Sequence, residues 1–239
     1  MYYEKDEIVS QYCEFHFGDE YFGVKNFPLK IAEIANKYAI NRSKALDIGC
    51  SVGRASFELT KTFDKVIGVD FSQSFVDTAN RLKDEKVLKF DKKIEGDIKE
   101  PKSFELVDID TSKVSFEQGD ACDLDDELEG FDLVIAINLI DRLHTPKKFL
   151  EDIRSRLNKD GILIIASPYT WMDEYVKKEN WLGGKIEDGK EIYTIDTIKE
   201  VLSDDYELLD EPFDVEFVIQ EHVRKYQHTF SKFCVWKKR

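Results

Sequence analysis

No two cysteines in this 239-residue chain have the spacing of a metal cluster or a disulfide framework. Cys13, Cys50, Cys122 and Cys234 are scattered, with no CxxC among them. That excludes zinc-ribbon and disulfide-scaffold classes, leaves no metal expected, and fits a reducing cytoplasm. Positive charge is also short. The formal net charge is −14, and a polyanion would be repelled unless a basic patch overrode that field. The closing "WKKR" is too short to be such a patch. Long apolar runs are missing too: "FDLVIAINLI" and "GILIIAS" fall well below the ~20 residues that cross a bilayer. The opening "MYYEKDEIVS" is too polar and acidic for a signal peptide. Neither nucleic acid nor membrane is expected as a partner, and oligomeric state is left open.

What the chain does have is core material, with 42% hydrophobic residues, 17 Phe and 10 Tyr. With no internal repeat and no low-complexity linker, residues 1–239 read as one domain. Residues 5–17 place Ile8, Val9, Tyr12 and Cys13 at helical spacing, and a second helix opens at Pro28. Residues 1–42 thus read as a helical lid. Strands and helices then alternate. "KALDIG", "KVIGVD", "KVSFEQGD", "FDLVIAIN" and "ILIIASP" are the strands. "VGRASFELTKTF", "SQSFVDTANRLK" (capped by Ser72) and "TPKKFLEDIRSRLNKDG" (capped by Thr145, ended by Gly161) are the helices. Residues 84–112 break the rhythm as an inserted β-hairpin. Residues 171–185 read as a loop with a helical turn, and a short helix follows near 194–202. "YELLDEPFDVEFVIQ" and "HTFSKFCVWKK" alternate as an antiparallel closing pair. The expected fold is α/β: a mostly parallel Rossmann-like sheet with an antiparallel C-terminal strand pair.

In such a sheet ligands sit at the carboxyl ends of the strands. The first turn is Gly49-Cys50-Ser51-Val52-Gly53. It is neither the GxGxxG of a dinucleotide site nor a phosphate-binding GxxxxGK[ST]. Asp47, just ahead of it, would repel a pyrophosphate and suits a ligand with a cationic or amino group. Asp70, ending "VIGVD" with Phe71 beside it, can accept both hydroxyl hydrogens of a ribose. Asp120 in "QGDAC" can accept from an adenine amino group, with Ala121 and Cys122 lining the ring. Asn138 ends the fourth strand. Each alone has a structural reading as a cap or turn residue; the series of strand tips around one glycine turn points to a nucleoside site.

"LDIGCSVG", "VIGVDFS", "QGDAC" and "FDLVIAINLIDRL" resemble successive motifs of class I S-adenosylmethionine-dependent methyltransferases, over residues 44–167. The resemblance implies S-adenosylmethionine as cofactor and S-adenosylhomocysteine as product. It places methionine at Asp47, Gly49 and Gly53; Cys50, a small packing residue rather than a nucleophile, and Asn138 are further candidate cofactor contacts. Ribose goes to Asp70, and adenine to Asp120 and Ala121.

A finer resemblance spans nearly the whole chain. "YYEKDEIVSQYCEFHFG", "GCSVGRASFEL", "FEQGDAC", "NLIDRL", "SPYTW", "WLGG" and "RKYQHT…VW" resemble the methyltransferase domain of ovothiol biosynthesis, the 4-mercaptohistidine N1-methyltransferase. That domain is usually fused behind an iron-dependent sulfoxide synthase, which this chain lacks, so a separately encoded synthase is an implied partner. The implied acceptor is a zwitterionic amino acid with a thiolated imidazole. Arg142 and Asp141 could hold its carboxylate and ammonium, with Arg224 a second carboxylate fork; a surface ion pair for the arginines and a helix cap for Asp141 are the structural alternatives. His16, His228 and Tyr169 could hydrogen-bond the ring or take its proton, each with a structural alternative. Asn138, Tyr169 and His16 are the candidate catalytic residues. Tyr3, Phe17, Tyr169, Trp171 and Trp181 could wall the site, or be core and lid packing. Two alternatives stand beside this reading: another small amino-acid or imidazole acceptor, and a non-catalytic S-adenosylmethionine-binding module.

Overall fold

The computed structural model describes residues 2–239. In chain order the elements are α1 (Asp6–Phe17), α2 (Phe27–Tyr38), β1 (Lys44–Ile48), α3 (Arg54–Leu59), β2 (Lys65–Asp70), α4 (Gln73–Glu85), β3 (Val87–Glu95), β4 (Ile98–Glu105), β5 (Val114–Gln118), β6 (Phe131–Ile137), α5 (Pro146–Arg156), β7 (Leu157–Ser167), β8 (Lys185–Glu187), β9 (Lys190–Ile192), α6 (Thr194–Leu202), β10 (Tyr206–Leu208), β11 (Phe213–His222) and β12 (Lys225–Lys238). The main sheet has the order β10-β12-β7-β6-β1-β2-β5, with β11 also paired to β12. Strands β5, β2, β1, β6 and β7 run parallel, while β12 is antiparallel to β7, β10 and β11. This is the expected α/β architecture, a mostly parallel Rossmann-like sheet with an antiparallel C-terminal strand pair.

Burial explains the layout. Every residue of β6 up to Ala136 is buried, which only a strand covered on both faces allows. From β1 the chain builds outward through β2 to β5, then returns to lay β6 on the other side of β1. The order therefore reverses between β1 and β6, and a crevice opens outside their carboxyl ends. One face of the sheet carries α1 to α4 and the β3–β4 hairpin, around Phe57, Phe75, Leu82, Leu88 and Phe233. The other carries α5 and α6, around Phe149, Ile153, Ile198, Leu202 and Tyr206. Ser72 caps α4 by accepting from the Phe75 amide at 3.3 Å. Asn26 caps α2, where Pro28 sits in the first turn.

Two boundaries differ from the sequence expectation. The helix after the glycine turn stops at Leu59 rather than running to Phe63. The helix opened by Pro146 ends at Arg156, not at Gly161. Arg156 is buried, and its guanidinium donates to the carbonyls of Leu124, Asp125 and Leu128, so the helix ends pinned to the loop ahead of β6. Leu157 then pairs with Phe131, and the register shifts before Leu133. Gly161 lies within β7, where a Cβ would meet the Asn158 carbonyl at 2.8 Å. Thr145 precedes the helix, but its hydroxyl makes no cap bond. Among the described residues no helix is long and apolar enough to cross a membrane.

Candidate active site at the strand tips

The glycine turn is held by the strand beside it. The amides of Gly49 and Cys50 both donate to the Val69 carbonyl, at 2.7 and 3.1 Å. Gly49, Ser51 and Gly53 have φ of 76°, 51° and 84°, the left-handed region that glycine enters at least cost. The Ser51 amide donates to Asp70 Oδ2 at 2.7 Å, and the Ser72 amide to Oδ1 at 2.9 Å. Each oxygen of Asp70 is thus anchored by one N–H and keeps acceptor capacity. Asp47 is buried and accepts from Ser56 Oγ at 2.6 Å. Burial pushes the Asp47 carboxyl up to about 7, with the neighbouring Asp70 charge adding to it. Burial likewise pushes Asp70 up to about 6, against the pull of the Ser72 and Ser51 amides. Two desolvated carboxylates side by side favour a cation between or above them.

The crevice is a cavity of about 300 Å³. Asp47, Gly49, Cys50, Asp70, Phe71, Asp120, Ala121 and Asn138 all line it, as do His16, Tyr3 and Arg142. Phe71 is 52% exposed, an aromatic face left for a ligand to cover. Asp120 Oδ1 accepts from the Cys122 amide at 2.8 Å. Asn138 stands at φ 54°, where a non-glycine residue is uncommon, and its Oδ1 accepts from the buried Ser231 hydroxyl. Helix α1 supplies a wall of Tyr12, Phe15 and His16, with Tyr12 against Phe75 at 4.9 Å between ring centroids. Burial, helped by the Arg54 charge, lowers His16 to about 3, and its Nδ1 has no hydrogen-bond partner. The imidazole is therefore neutral at neutral pH. Arg142 Nη1 donates to Asp141 Oδ2 and to the Thr170 carbonyl, both at 2.9 Å.

Other expected site residues lie elsewhere. Gly53 is the residue before α3, and a Cβ there would meet the Phe116 ring at 2.6 Å, so it serves helix packing. Cys122 is buried outside the cavity, its thiol toward the Thr145 carbonyl. Tyr169 packs on the opposite face of the sheet, its hydroxyl 4.0 Å from Cys234 Sγ. Phe17 packs on Phe104 of the hairpin at 4.7 Å. Asp141 is fully buried and spends its oxygens on Ser167, Thr170 and Arg142. Trp171 and Trp181 stack on each other, and Trp171 bonds to Thr194. Arg224 pairs with Glu95 at the hairpin tip, and His228 pairs with Glu216 across β11 and β12; both are exposed.

Sequence reading missed the cavity roles of Tyr12 and Phe15, although their spacing with His16 on one helix face was visible. It also passed over Ser51, whose buried Oγ has no partner. Among the described residues, Asp120, Cys122 and His144 bring potential metal-ligand atoms within 4.8 Å of one another. Two of them are already engaged locally, Asp120 with the Cys122 amide and Cys122 with Thr145.

These features fit an adenosyl sulfonium. Three acids stand at strand tips, an exposed aromatic ring adjoins one of them, and buried polar atoms wait without partners. Two methyltransferase-domain family models match the chain, over residues 46–163 and 106–230. The second spans just over half of it. Solved structures share the fold. The magnesium protoporphyrin IX methyltransferase of Synechocystis, solved with bound S-adenosylmethionine, is 12% identical with a TM-score of 0.61, covering 100% of this chain and 94% of its own. A TehB-like S-adenosylmethionine-dependent methyltransferase of Corynebacterium glutamicum is 18% identical with a TM-score of 0.51, covering 87% of both chains. The [4+2]-cyclase SpnF is 11% identical with a TM-score of 0.57, covering 98% of this chain and 96% of its own. Its presence shows that the fold alone does not dictate the reaction. The family models decide the assignment: the chain belongs to the methyltransferase-domain family and is a class I S-adenosylmethionine-dependent methyltransferase.

Proposed function

We propose that the protein methylates an imidazole nitrogen of 4-mercaptohistidine (5-thiohistidine), the ring N-methylation of ovothiol biosynthesis. The observation that carries this reading is the pairing of two half-sites in one cavity. Acids at the tips of β1, β2 and β5 suit a cation-bearing nucleoside, while Arg142, Tyr3 and His16 suit a zwitterionic imidazole. The likeness of both chain ends to the thiohistidine methyltransferase domain supports the acceptor.

In this reading Asp70 accepts from the ribose hydroxyls, Asp120 with Ala121 and Phe71 holds the adenine, and Asp47 and the Gly49 turn meet the methionine end. Arg142 takes the acceptor carboxylate. Bound S-adenosylmethionine supplies an electrophilic methyl carbon: the nitrogen lone pair bonds to it, the carbon–sulfur pair returns to sulfur as S-adenosylhomocysteine, and any ring N–H proton leaves to water. The protein then has little proton chemistry to do. Neutral His16 accepts a hydrogen bond from the ring N–H and fixes which nitrogen lone pair is free. Tyr3, Tyr12 and Phe75 line the cavity and keep water out. Holding the reactants aligned at near-attack distance is worth roughly 7–11 kcal/mol.

A sulfoxide synthase would supply the thiolated acceptor. Work in the reducing cytoplasm suits the four buried free thiols. The test is incubation with labelled S-adenosylmethionine and a panel of histidine, 4-mercaptohistidine and histidine-derived thiourea betaines, read by mass spectrometry. The expected product is N-methylated 4-mercaptohistidine. Label on a different panel member would replace the acceptor. Tight S-adenosylhomocysteine binding with no transfer would make the protein a binding module.

A further inference from the structure

The proposed acceptor presents a chemical problem. Its sulfur is a softer and stronger nucleophile than its ring nitrogens, so a cavity that only brings it close would favour the S-methyl product. Both products leave the same S-adenosylhomocysteine; they differ only in whether sulfur or nitrogen gives the electron pair to the methyl carbon. Something in the cavity must engage the sulfur.

Asn138 is built for that. It sits at the carboxyl end of β6, beside the point where the strand order reverses, and it lines the cavity. Its backbone is left-handed, φ 54°, and is fixed by its amide donating to the Ala166 carbonyl at 2.7 Å. Strained backbone of this kind persists where the surroundings over-determine it, and it clusters at functional sites. The side chain is fixed as well. The hydroxyl of Ser231, a fully buried residue of β12, donates to Asn138 Oδ1. With the oxygen so occupied, the amide's orientation is set and both N–H bonds of Nδ2 remain. No hydrogen bond from Nδ2 occurs among the described residues, so its donors are left for a ligand. The acid-lined part of the cavity offers acceptors for a nucleoside; Asn138 offers donors, which suit a group carrying negative charge.

We infer that Asn138 Nδ2 donates to the acceptor's thiolate sulfur, and that Ser231 is the positioning residue that turns those donors into the cavity. This rests on the thiohistidine reading above and deepens it. A thiolate that accepts an N–H of Nδ2 is stabilised and held away from the methyl carbon, and the ring nitrogen is left to attack. Ser231 touches no substrate; it acts only through the amide it orients.

Two measurements test this. The first is the ratio of N-methyl to S-methyl product, resolved by fragmentation mass spectrometry. Wild type is expected to give the N-methyl isomer. Asn138→Ala and Ser231→Ala are each expected to raise the S-methyl fraction at least tenfold, and Ser231→Thr, which keeps the hydroxyl, to restore the wild-type ratio. The second needs no turnover. With S-adenosylhomocysteine bound, the preference for 4-mercaptohistidine over histidine is measured by calorimetry; it is expected to fall about tenfold in both alanine variants while S-adenosylhomocysteine affinity stays within twofold. Should Asn138→Ala not fold, Ser231→Ala carries the test. If wild type neither binds nor methylates 4-mercaptohistidine, the proposed function fails. If it does both, and Ser231→Ala leaves isomer ratio and sulfur preference unchanged, the inference is overturned while the function stands.

Discussion

The backbone amide of Ser51 donates to Asp70 Oδ2 at 2.7 Å, so the loop after β1 and the tip of β2 form one unit. The same carboxylate takes the Ser72 amide that opens α4. A residue expected from sequence to meet a ribose is therefore also the clasp of the loop that would hold the rest of the cofactor.

That double duty fixes how Asp70 should be probed. Asp70→Ala removes two hydrogen bonds to a charged group and is expected to cost about 1–3 kcal/mol of stability, visible as a lower urea midpoint. Asp70→Asn is the cleaner variant, because its amide oxygen still accepts one backbone N–H. S-adenosylhomocysteine affinity should fall roughly 10- to 100-fold in Asp70→Asn, the range that 1.5–3 kcal/mol spans. Unchanged affinity by calorimetry would remove Asp70 from the ribose role.

Protonation offers a second handle. The carboxyls of Asp47 and Asp70 are pushed up to about 7 and about 6 from 3.8. Between pH 4 and 7 the folded protein holds protons there that the unfolded chain has released. Their contribution to stability is full below pH 4 and is lost as pH rises through 6 and 7. His16, lowered from 6.5 to about 3, acts in the opposite direction, and its contribution is lost as pH falls below 6.5. Asp47→Asn isolates the first effect: stability of wild type minus variant should decline from pH 4 to 7 in urea titrations. A sulfonium favours the ionised carboxylates, so preference for S-adenosylmethionine over uncharged-sulfur S-adenosylhomocysteine should grow from pH 5 to 7.5. Calorimetry in buffers of different ionisation enthalpy should show protons released near pH 6.

Arg142 is fastened to buried Asp141 and to the Thr170 carbonyl, so Arg142→Ala carries a structural cost of about 1–3 kcal/mol. Its functional signature is separate: the acceptor KM should rise about 10- to 100-fold with S-adenosylhomocysteine affinity within a factor of three. A collapse of cofactor affinity instead would assign Arg142 to the scaffold alone.

Arg224→Ala and His228→Ala should do little. Both residues are exposed and paired at the surface, where ion pairs contribute about 0–1 kcal/mol. Stability should change by less than about 0.5 kcal/mol and kcat/KM stay unchanged; a large loss of turnover in either variant would reopen a substrate role for the C-terminal hairpin.

These outcomes show where sequence reading carries and where it stops. The gathering of Asp47, Asp70, Asp120 and Asn138 in one cavity was legible because each lies at or near the end of a strand, and parallel strands bring their carboxyl ends to one edge. Arg224 and His228 were not, because alternation identifies β11 and β12 as strands without saying how far their hairpin carries these residues from the crevice. Tyr169 lies two residues past β7, and its left-handed backbone, φ 52°, belongs to a turn that no period records. The side chain goes to the far face as a result. Gly53 resembled a ligand-facing glycine, but Phe116, sixty-three residues later, occupies the space its Cβ would need. Such long-range packing leaves no local trace.

Helix α1 closes over the crevice with Tyr12, Phe15 and His16, and polar ties fasten it on two sides. Gln11 donates to the Gln220 carbonyl at 3.0 Å, and Asn26 to the His16 carbonyl at 3.1 Å. Tied at two points, that wall of the crevice is ordered before any ligand arrives, so little binding free energy has to be spent on fixing it.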